Sequence, residues 1–591
     1  MKIHRMDGEK LFHAFLHGRK EILKKQKDLN KMNVFPVPDG DTGTNLASTM
    51  NAMVEGAEAQ ASISSVSRHF AENALTGSRG NAGIIFAQFI HGLSEAVRGK
   101  DTINRIELVH AMKRGVESAH KAIAKPVEGT ILTVMKAWAN ALHAVHEKSS
   151  DLGEMFHHAL QVARQKLQET PKMLKILEKA GVVDAGAQGF VHFLEGISSF
   201  FRHGKKLNPD IAGVVLEQDD HIHLEVLEGN LSQRYCTEAL IQGSHMHTDQ
   251  IRTAIEGEGD SLIVAGTAER IRIHIHTNHP ARLFTILKQF GTIVQQKVDD
   301  MKQQYNVHYH RKSKIALVTD SCCDLPPDFL DENQIHMVPL SISFDKQQYI
   351  DKLTILPEQF YKLLETEPAF PQTSQPTVKA FENLYSFLGT YYDSIVSVHL
   401  SSALSGTWNA ARQAAKKFKN KKITVIDSKN LSISLGLIVR QLVPYVHEGR
   451  SHEFIVRKAK QLSEDVIVLV SVKTLKNLVR GGRISPLKGW IARALNLKPI
   501  VSIDREGKTT MFGKAFSNRA NIRKILNIIR KRHRERPISH FIIGNADNTA
   551  EALKLEKEMK KITGKKADHI LSVSPVIGTH VGSGAVGISI L

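Results

Sequence analysis

The spacing of apolar residues changes twice along this chain, and that change constrains the fold more than any other feature. Residues 8–202 carry apolar side chains three and four positions apart, which is typical of amphipathic helices. Residues 205–311 mix alternating strands with helical segments, and from Ile315 onward continuous apolar runs alternate with helical segments. We therefore predict a multidomain protein: an all-α N-terminal region, a small α+β middle domain and an α/β C-terminal region. The predicted boundaries are 1–204, 205–311 and 312–591.

Length, cysteine content and the N-terminus limit the class of protein. A chain of 591 residues is too long for one hydrophobic core. Three cysteines are too few for a disulfide framework, and no apolar run reaches the roughly 18 residues that a membrane span needs. Residues 1–20 lack the apolar core of a signal peptide. We therefore predict a cytoplasmic protein with reduced thiols.

The net charge of +19 comes from 79 basic and 60 acidic residues and favours anionic partners. Aromatic residues make up only 6% of the chain, and no nucleic-acid motif is present, so we predict no nucleic-acid partner. Residues 519–536 form a basic helix with one apolar stripe. A solvated face is one interpretation of it, and peripheral contact with an acidic partner or a membrane surface is the other.

Residues 33–45 form an acidic loop that reads N-V-F-P-V-P-D-G-D-T-G-T-N. Asp39 and Asp41 lie two positions apart in it, and their hard carboxylate oxygens suit Mg²⁺, which keeps phosphate oxygens among its ligands. A calcium EF-hand is disfavoured, because Gly43 falls where that loop needs a third ligand. The loop therefore predicts a nucleotide site with Mg²⁺, and an ordinary Asp-rich turn is the alternative.

Three further glycine-bearing segments interrupt the helical pattern, at residues 77–83, 126–130 and 181–189. Loops at one end of a helical bundle could converge on the acidic loop. A turn that enters a helix at Gly80 would offer backbone N–H groups to phosphates. A helix cap or a close helix crossing remains the alternative for each segment.

The alternating segment at residues 270–277 contains a candidate metal site. Alternation along a strand places His274 and His276 on the same face, where both imidazoles could reach one ion. Cys236 would add a soft ligand, and two imidazoles with one thiolate suit Zn²⁺. The alternative is two strand histidines near an unrelated thiol.

Three clusters of hydroxyl and glycine residues follow apolar strands in the C-terminal region, at residues 373–377, 401–407 and 578–582. In parallel sheets, polar groups just past the carboxyl ends of strands line the ligand crevice. Hydroxyls, glycine N–H groups and an imidazole could together hold an oxyanion there. Ordinary helix capping by Ser and Thr is the alternative.

The motifs of residues 33–45, 77–83, 126–134 and 181–189, in this order and spacing, resemble the nucleotide domain of dihydroxyacetone kinases, in the version found in bacterial fatty-acid kinases. The middle domain is similar to that of fatty-acid kinases. The C-terminal region, with T-D-S, T-S-Q-P-T, S-S-A-L-S-G-T, G-G-R-I-S and G-T-H-V-G, resembles the DegV family of fatty-acid-binding proteins. The likeness spans nearly the whole chain.

The kinase resemblance implies an antiparallel helical barrel that binds ATP at one end. Asp39 and Asp41 would be the catalytic Mg²⁺ ligands, with Asn33 as the additional ligand, because Val34 stands where the kinases have an Asp. The other positions that match the nucleotide pocket are Thr42, Asn45, Ser78, Gly80, Asn81, Thr130 and Asp184. The resemblance also implies a Zn²⁺ site at the three residues Cys236, His274 and His276.

The DegV resemblance implies that a fatty-acid carboxylate is held by Thr373, next to Ser374, and by Ser405, with His580 nearby. Basic positions around the mouth would be Arg483 and Arg519. Fatty-acid kinases are usually split between a kinase and a separate DegV protein, whereas this chain carries the binding motifs itself. It would be a self-contained fusion, or its DegV region would have kept the motifs and lost the cavity.

The predicted function is ATP-dependent phosphorylation of a fatty-acid carboxylate to an acyl phosphate. A carboxylate is already ionised near neutral pH, so the reaction needs no general base. One alternative is a kinase for a small hydroxylated substrate, and another is a lipid carrier or regulator that senses ATP. Expected partners are a fatty acid, a separate DegV-type binding protein or an acyltransferase that uses acyl phosphate, and a second copy in a homodimer.

Overall fold

The computed structural model describes residues 4–35, 40–147, 149, 151–207, 232–484, 498–515 and 517–591. The chain forms two compact units, Met1–Lys302 and Gln303–Leu591. The first unit holds the helix-rich N-terminal region and the small α+β region. The second holds the α/β region.

Helices dominate the N-terminal region, beside one short antiparallel pair of strands. The strands are β1 (Arg5–Asp7) and β2 (Thr102–Asn104). The helices are α1 (Gly8–Lys24), α2 (Gln26–Lys31), α3 (Thr42–Val54), α4 (Ile63–Gly77), α5 (Gly80–Ala96), α6 (Arg105–Ala122), α7 (Ile131–Val145), α8 (Leu152–Met173), α9 (Lys175–Ala180) and α10 (Ala185–His203).

Aromatic side chains fill the centre of this helical region. Phe86 contacts Phe193 edge to face at 4.7 Å between ring centroids, and Phe190 meets Trp138 in the same way at 5.5 Å. Helices α1 and α10 cross closely at Gly196, where an added Cβ would lie 2.3 Å from the carbonyl oxygen of His17. The helical spacing in the sequence therefore corresponds to one shared apolar core.

The middle region is an antiparallel sheet with helices beside it. Its elements are β3 (Tyr235–Gln242), α11 (Thr248–Ile255), β4 (Asp260–Gly266), β5 (Arg270–Thr277), α12 (Pro280–Leu287) and β6 (Thr292–Asp300). Helix α13 (Met301–Tyr309) follows and contains the boundary between the two units. The strand order is β4-β5-β3-β6. Strand β4 touches the helical region, since Ile263 forms an antiparallel bridge with Ile123 after α6.

The strands described in the second unit form three sheets. Its strands are β7 (Ile315–Asp320), β8 (Ile335–Val338), β9 (Ser341–Phe344), β10 (Gln347–Ile350), β11 (Gln372–Ser374), β12 (Ser394–His399), β13 (Lys422–Asp427), β14 (Ile467–Ser471), β15 (Lys498–Ile503), β16 (Thr509–Ala515), β17 (Phe541–Asn545), β18 (His569–Ser572) and β19 (Val586–Ile590). The strand orders are β13-β12-β7-β8, β10-β9-β11 and β16-β15-β14-β19-β17-β18.

The helices of the second unit separate these strands along the chain. After α13 they are Pro327–Glu332, Pro357–Thr366, Val378–Tyr391, Thr407–Ala415, Ser432–His447, His452–Asp465, Lys476–Arg480, Asn518–Glu535, Thr549–Thr563 and Pro575–Val581. Within the described residues, no helix is long and apolar enough to cross a membrane.

The direction of the strands differs from the sequence prediction in one sheet. The apolar runs predicted parallel strands, and β7, β8, β12 and β13 do pair in parallel. Strand β14 instead pairs antiparallel with β19, and β17 pairs antiparallel with β19 and parallel with β18. A strand buried on both faces gives a continuous apolar run whatever the direction of its neighbours, so the run alone does not fix that direction.

Candidate functional site

A cavity of about 390 Å³ in the first unit lies between the ends of several helices and the middle sheet. It brings together eleven residues that the sequence analysis placed in separate motifs: Asn33, Asp41, Thr42, Asn45, Gly80, Asn81, Thr130, Asp184, Cys236, His274 and His276. Asp39 lies outside the described residues. The predicted nucleotide residues and the predicted metal cluster therefore line the same cavity.

The described end of the acidic loop is positioned by helix α2. Helix α3 begins directly after Asp41, whose carbonyl oxygen accepts a hydrogen bond from Asn45 N at 2.8 Å. The backbone N of Thr44 donates to Asn30 Oδ1 at 3.0 Å. A Cβ at Gly43 would lie 2.1 Å from the carbonyl oxygen of Gln26, so only glycine allows α2 and α3 to approach this closely.

Two polar residues at helix starts complete the helical wall of the cavity. Asp184 caps α10, because its Oδ1 accepts from Ala187 N at 2.8 Å, and burial raises the pKa of this carboxyl to about 6. Asn81 lies in the first turn of α5, and its buried Oδ1 has no hydrogen-bond partner in the described part of the chain. An amide oxygen without a partner, on a residue that lines a cavity, is available to a ligand.

The three predicted metal ligands lie on adjacent strands β3 and β5. Their ligand atoms are all within 4.8 Å of one another, and Cys236 pairs directly with His276 across the ladder. Carboxylates lie behind both rings: Glu238 Oε1 is 3.6 Å from His274 Nδ1, and Asp260 Oδ1 is 3.5 Å from His276 Nδ1. His274 Nε2 is buried without a partner among the described residues. This donor set, backed by carboxylates, fits Zn²⁺.

Glu238 joins the middle sheet to the start of α5. The backbone N of Gly80 donates to Glu238 Oε1 at 2.7 Å. Arg272 Nη2 donates both to the carbonyl oxygen of Ser78, at 2.6 Å, and to Glu238 Oε2, at 3.2 Å. Burial opposes ionisation of Glu238, but His274 and the neighbouring cations outweigh it and lower the pKa of this carboxyl. The Gly80 N–H, expected at a phosphate, is therefore satisfied by a carboxylate here.

Ser78 lies behind the cavity rather than in its lining. Its side chain is fully buried, and its Oγ donates to the carbonyl oxygen of Leu75 at 3.0 Å. Glu238 and Lys297 belong to none of the sequence motifs, yet they line the cavity from β3 and β6. Strand alternation alone could have placed Glu238 on the face of Cys236, two positions earlier in β3.

A second cavity, of about 100 Å³, lies in the second unit. The predicted residues Thr373, Ser374, Ser405, Arg483 and His580 line it. Apolar side chains form most of its wall, among them Leu340, Leu400, Ile433, Val468, Val501 and Ile577. The three hydroxyl and glycine clusters of the sequence therefore meet at an apolar cavity.

His580 is the central polar group of this second cavity. Its Nε2 lies 3.3 Å from Thr373 Oγ1, and burial, followed by the charge of Arg483, lowers the pKa of the imidazole to about 3. Arg483 donates to the carbonyl oxygen of Leu404 at 3.2 Å. Arg519 is exposed near the start of the helix Asn518–Glu535 and is not among the described lining residues.

Three family models match successive parts of the chain. The DAK2 domain matches residues 36–199, the fatty acid kinase A-like middle domain matches 232–308, and the DegV family matches 314–591. The chain joins a DAK2 domain, a fatty acid kinase A-like middle domain and a DegV domain. The resemblance found in the sequence is confirmed. The first cavity lies between the DAK2 and middle domains, and the second lies in the DegV domain.

Individual relatives match only part of the chain. An uncharacterised protein of Staphylococcus saprophyticus is 33% identical over 315 residues, covering 51% of this chain and 56% of its own length. A similar protein of Staphylococcus aureus strain bovine RF122 is 31% identical over 315 residues, covering 51% and 57%. The chain thus spans about half the length of the curated relatives it matches.

Similar solved structures cover the DegV part of the chain. A fatty-acid-binding DegV family protein from Thermus thermophilus is 30% identical, with a TM-score of 0.43, and covers 47% of this chain and 99% of its own. DegV of Bacillus subtilis, a fatty acid binding protein, is 29% identical, with a TM-score of 0.44, and covers 47% and 99%.

Proposed function

We propose that this chain is a kinase that transfers the γ-phosphoryl group of ATP to a fatty-acid carboxylate and forms an acyl phosphate. One observation carries the proposal: Asp41 and the glycine-bearing starts of α5 and α10 line one cavity with polar groups from the middle domain. The DAK2 and fatty acid kinase A-like matches support a kinase-type function for that cavity.

In the first cavity, Asp41, its neighbour Asp39 and Asn33 would hold Mg²⁺, and the residues of α3, α5, α7 and α10 would surround ATP. Bound Mg²⁺ would neutralise charge on the phosphoryl oxygens. The Oδ1 of Asn81 and the start of α7 at Thr130 offer polar contacts for the nucleotide. We also propose that these helices form the antiparallel helical barrel that the kinase resemblance implies.

The chemical step needs positioning more than proton transfer. A carboxylate oxygen of the fatty acid attacks the γ-phosphorus, and the bond from that phosphorus to the bridging oxygen breaks, so ADP leaves with the electron pair. The attacking carboxylate is already ionised near neutral pH, so no base has to remove a proton. Catalysis then depends on in-line alignment and charge neutralisation.

The DegV domain would hold the fatty acid. The hydroxyls of Thr373 and Ser405 would donate to its carboxylate beside His580, and the apolar wall of the cavity would take its tail. The low pKa of His580 keeps the imidazole neutral at physiological pH, so it can accept or donate one hydrogen bond there without adding a charge. The presence of a cavity favours a self-contained fusion over a DegV region that has lost its ligand.

Cys236, His274 and His276 would hold Zn²⁺ next to the nucleotide. Glu238 and Asp260, behind the two rings, would orient the imidazoles and favour metal binding. The same proposal includes four interactions of the chain. They are binding of a separate DegV protein, binding of an acyltransferase that consumes the acyl phosphate, formation of a homodimer and peripheral contact with a membrane.

The test measures acyl phosphate directly. We expect a mixture of full-length protein, ATP, Mg²⁺ and oleate to form acyl phosphate, which hydroxylamine traps. The Asp41→Ala variant should form none but should still bind oleate, because Asp41 and the DegV cavity lie in different units. Asp28→Ala, which removes an exposed surface carboxylate of α2, is the matched control and should stay active.

Two results would contradict the proposal. Full activity of the Asp41→Ala variant would show that Asp41 is not the Mg²⁺ ligand that the reaction needs. Bound oleate with no turnover, even with a separate DegV protein added, would instead favour a lipid carrier that senses ATP, and phosphorylation of dihydroxyacetone would favour a small-molecule kinase.

A further inference from the structure

Lys297 is a cation of the first cavity that none of the sequence motifs contains. It lies on β6 directly across the ladder from Glu238. Its side chain lines the cavity together with Asp41 and Asn81, and 36% of the side-chain surface remains accessible. The sheet therefore holds a lysine at the wall of the cavity, with part of its surface open to a ligand.

The surroundings of Lys297 keep it charged and leave donors for an anion. Its Nζ lies 2.5 Å from Asp299 Oδ2. The carboxylate of Asp299 makes the largest contribution, and together with Glu238 and Asp41 it outweighs burial and raises the pKa of Lys297. An ammonium group has three donors, so one bond to Asp299 leaves donors for an anion in the cavity.

The other cations of the lining are held differently from Lys297. Among the described lining residues, the cations are Lys125, Arg252 and Lys297. Arg252 donates from Nη1 to Asp249 Oδ1 at 2.7 Å and from Nη2 to the carbonyl oxygen of Lys121 at 2.8 Å, while its buried Nε has no partner among the described residues. Lys125 is exposed on the connection between α6 and α7. Of these three, Lys297 is the one both fixed on a strand and close enough to Asp41 to feel its charge.

The helical wall of the cavity contributes little positive charge, so it leaves a need for the cation that the sheet supplies. Its described polar groups are carboxylates, amides, hydroxyls and backbone groups, with Lys125 at the edge. The triphosphate of ATP carries several negative charges, and one divalent ion held by Asp41 does not neutralise them all. A lysine is a common phosphate ligand because its ammonium group acts as a point charge.

We infer that Lys297 donates hydrogen bonds to the β- or γ-phosphate oxygens of ATP, so that the middle domain contributes a phosphate-binding residue to the DAK2 site. This inference rests on the proposed kinase function. It assigns the middle domain a direct part in nucleotide recognition, beyond carrying the Cys–His–His cluster.

Calorimetric titration of the full-length protein tests this contact. With Mg²⁺ present, ATP, ADP and AMP are titrated into the wild type and into Lys297→Met, Lys297→Arg and Lys302→Met, the last at an exposed lysine after β6 that does not line the cavity. Loss of a charge-assisted hydrogen bond should weaken ATP and ADP binding to Lys297→Met by about 10- to 100-fold. AMP binding should change less, Lys297→Arg should recover most of the loss, and Lys302→Met should bind like the wild type.

The possible results separate this inference from the proposed function. Wild-type protein that binds no ATP would overturn the kinase proposal itself. Wild-type binding of ATP by Lys297→Met would overturn only the contact to Lys297. Equal losses in Lys297→Met and Lys302→Met would overturn it as well, because a general charge effect would then explain both. An AMP loss as large as the ATP loss would also overturn it, because a structural role of Lys297 would explain that result. Thermal unfolding of each unliganded variant verifies that it is folded.

Discussion

At the scale of single residues, Gly481 leaves room for the imidazole of His580 at the second cavity. A Cβ at Gly481 would lie 2.3 Å from His580 Nδ1, although the backbone of Gly481 has ordinary right-handed helical angles. We expect Gly481→Ala to displace the imidazole and to weaken oleate binding about tenfold, in line with the cost of about 1–3 kcal/mol for overpacking. Fluorescence titration with a labelled fatty acid measures this.

The control for that substitution is Gly389→Ala in the same unit. A Cβ at Gly389 would meet Lys421 Cγ at 3.5 Å, which is an ordinary contact. Wild-type binding by Gly389→Ala and weakened binding by Gly481→Ala are the expected pair of results. Equal affinity of the two variants would show that the imidazole position does not matter to the ligand.

The Cys–His–His cluster gives a second prediction at this scale. Elemental analysis of the purified full-length protein should find zinc, and Cys236→Ser and His276→Ala should lose it, because each removes one of three ligands. Cys323→Ser changes a buried thiol of the second unit and should keep the metal. Zinc that persists in His276→Ala would show that the ion is bound elsewhere.

At the scale of elements, the cap of helix α10 makes stability depend on pH. The pKa of Asp184 is raised to about 6 in the folded protein, so the folded state binds more protons than the unfolded state between about pH 4 and 6. The contribution of Asp184 to stability therefore falls as pH rises through this window. Asp184→Asn keeps a capping side chain and removes the buried charge.

We expect Asp184→Asn to stabilise the unliganded protein at pH 7.5 by about 1–3 kcal/mol, with a smaller gain at pH 5. Denaturant unfolding at the two pH values measures the difference. The control is Asp151→Asn, which makes the same substitution at the less buried cap of α8. A gain for Asp184→Asn that is the same at both pH values would contradict the buried-charge explanation.

The sequence predicted which segments form helices and strands better than it predicted which strands pair with one another. Alternation in Arg270–Thr277 placed His274 and His276 on one face, and the basic stretch at 519–536 is the helix Asn518–Glu535, with Ile525, Leu526 and Ile529 buried. The antiparallel pairing of β14 and β17 with β19, which lies between them, was missed, because burial on both faces hides strand direction. Pairing of distant strands depends on tertiary contacts that no local pattern contains.

At the scale of the whole molecule, the motifs were predictable from the sequence but their meeting point was not. Gly80 and Glu238 are 158 positions apart in the chain, yet they share a hydrogen bond. Their separate patterns, a glycine turn and a strand, carry no signal for that contact. The shared cavity of the predicted nucleotide residues and the Cys–His–His cluster is therefore a result of folding that a single sequence could not reveal.

The division into two units gives a prediction for the isolated second unit. All described residues that line the second cavity lie within Gln303–Leu591. A fragment of residues 303–591 should therefore bind oleate with the affinity of the full chain and form no acyl phosphate. Native mass spectrometry and the hydroxylamine assay measure the two properties. Oleate binding by the full chain but not by the fragment would contradict the prediction.

The middle sheet supplies one wall of the first cavity from residues far along the chain, with Asp41 on one side and Cys236 to Lys297 on the other. During translation, the helices can emerge from the ribosome and fold long before that wall has been synthesised. In a nascent chain that ends near residue 204, Asp41 therefore lacks the opposite wall of the cavity. Synthesis through β6 is therefore the earliest point at which the cavity can be complete.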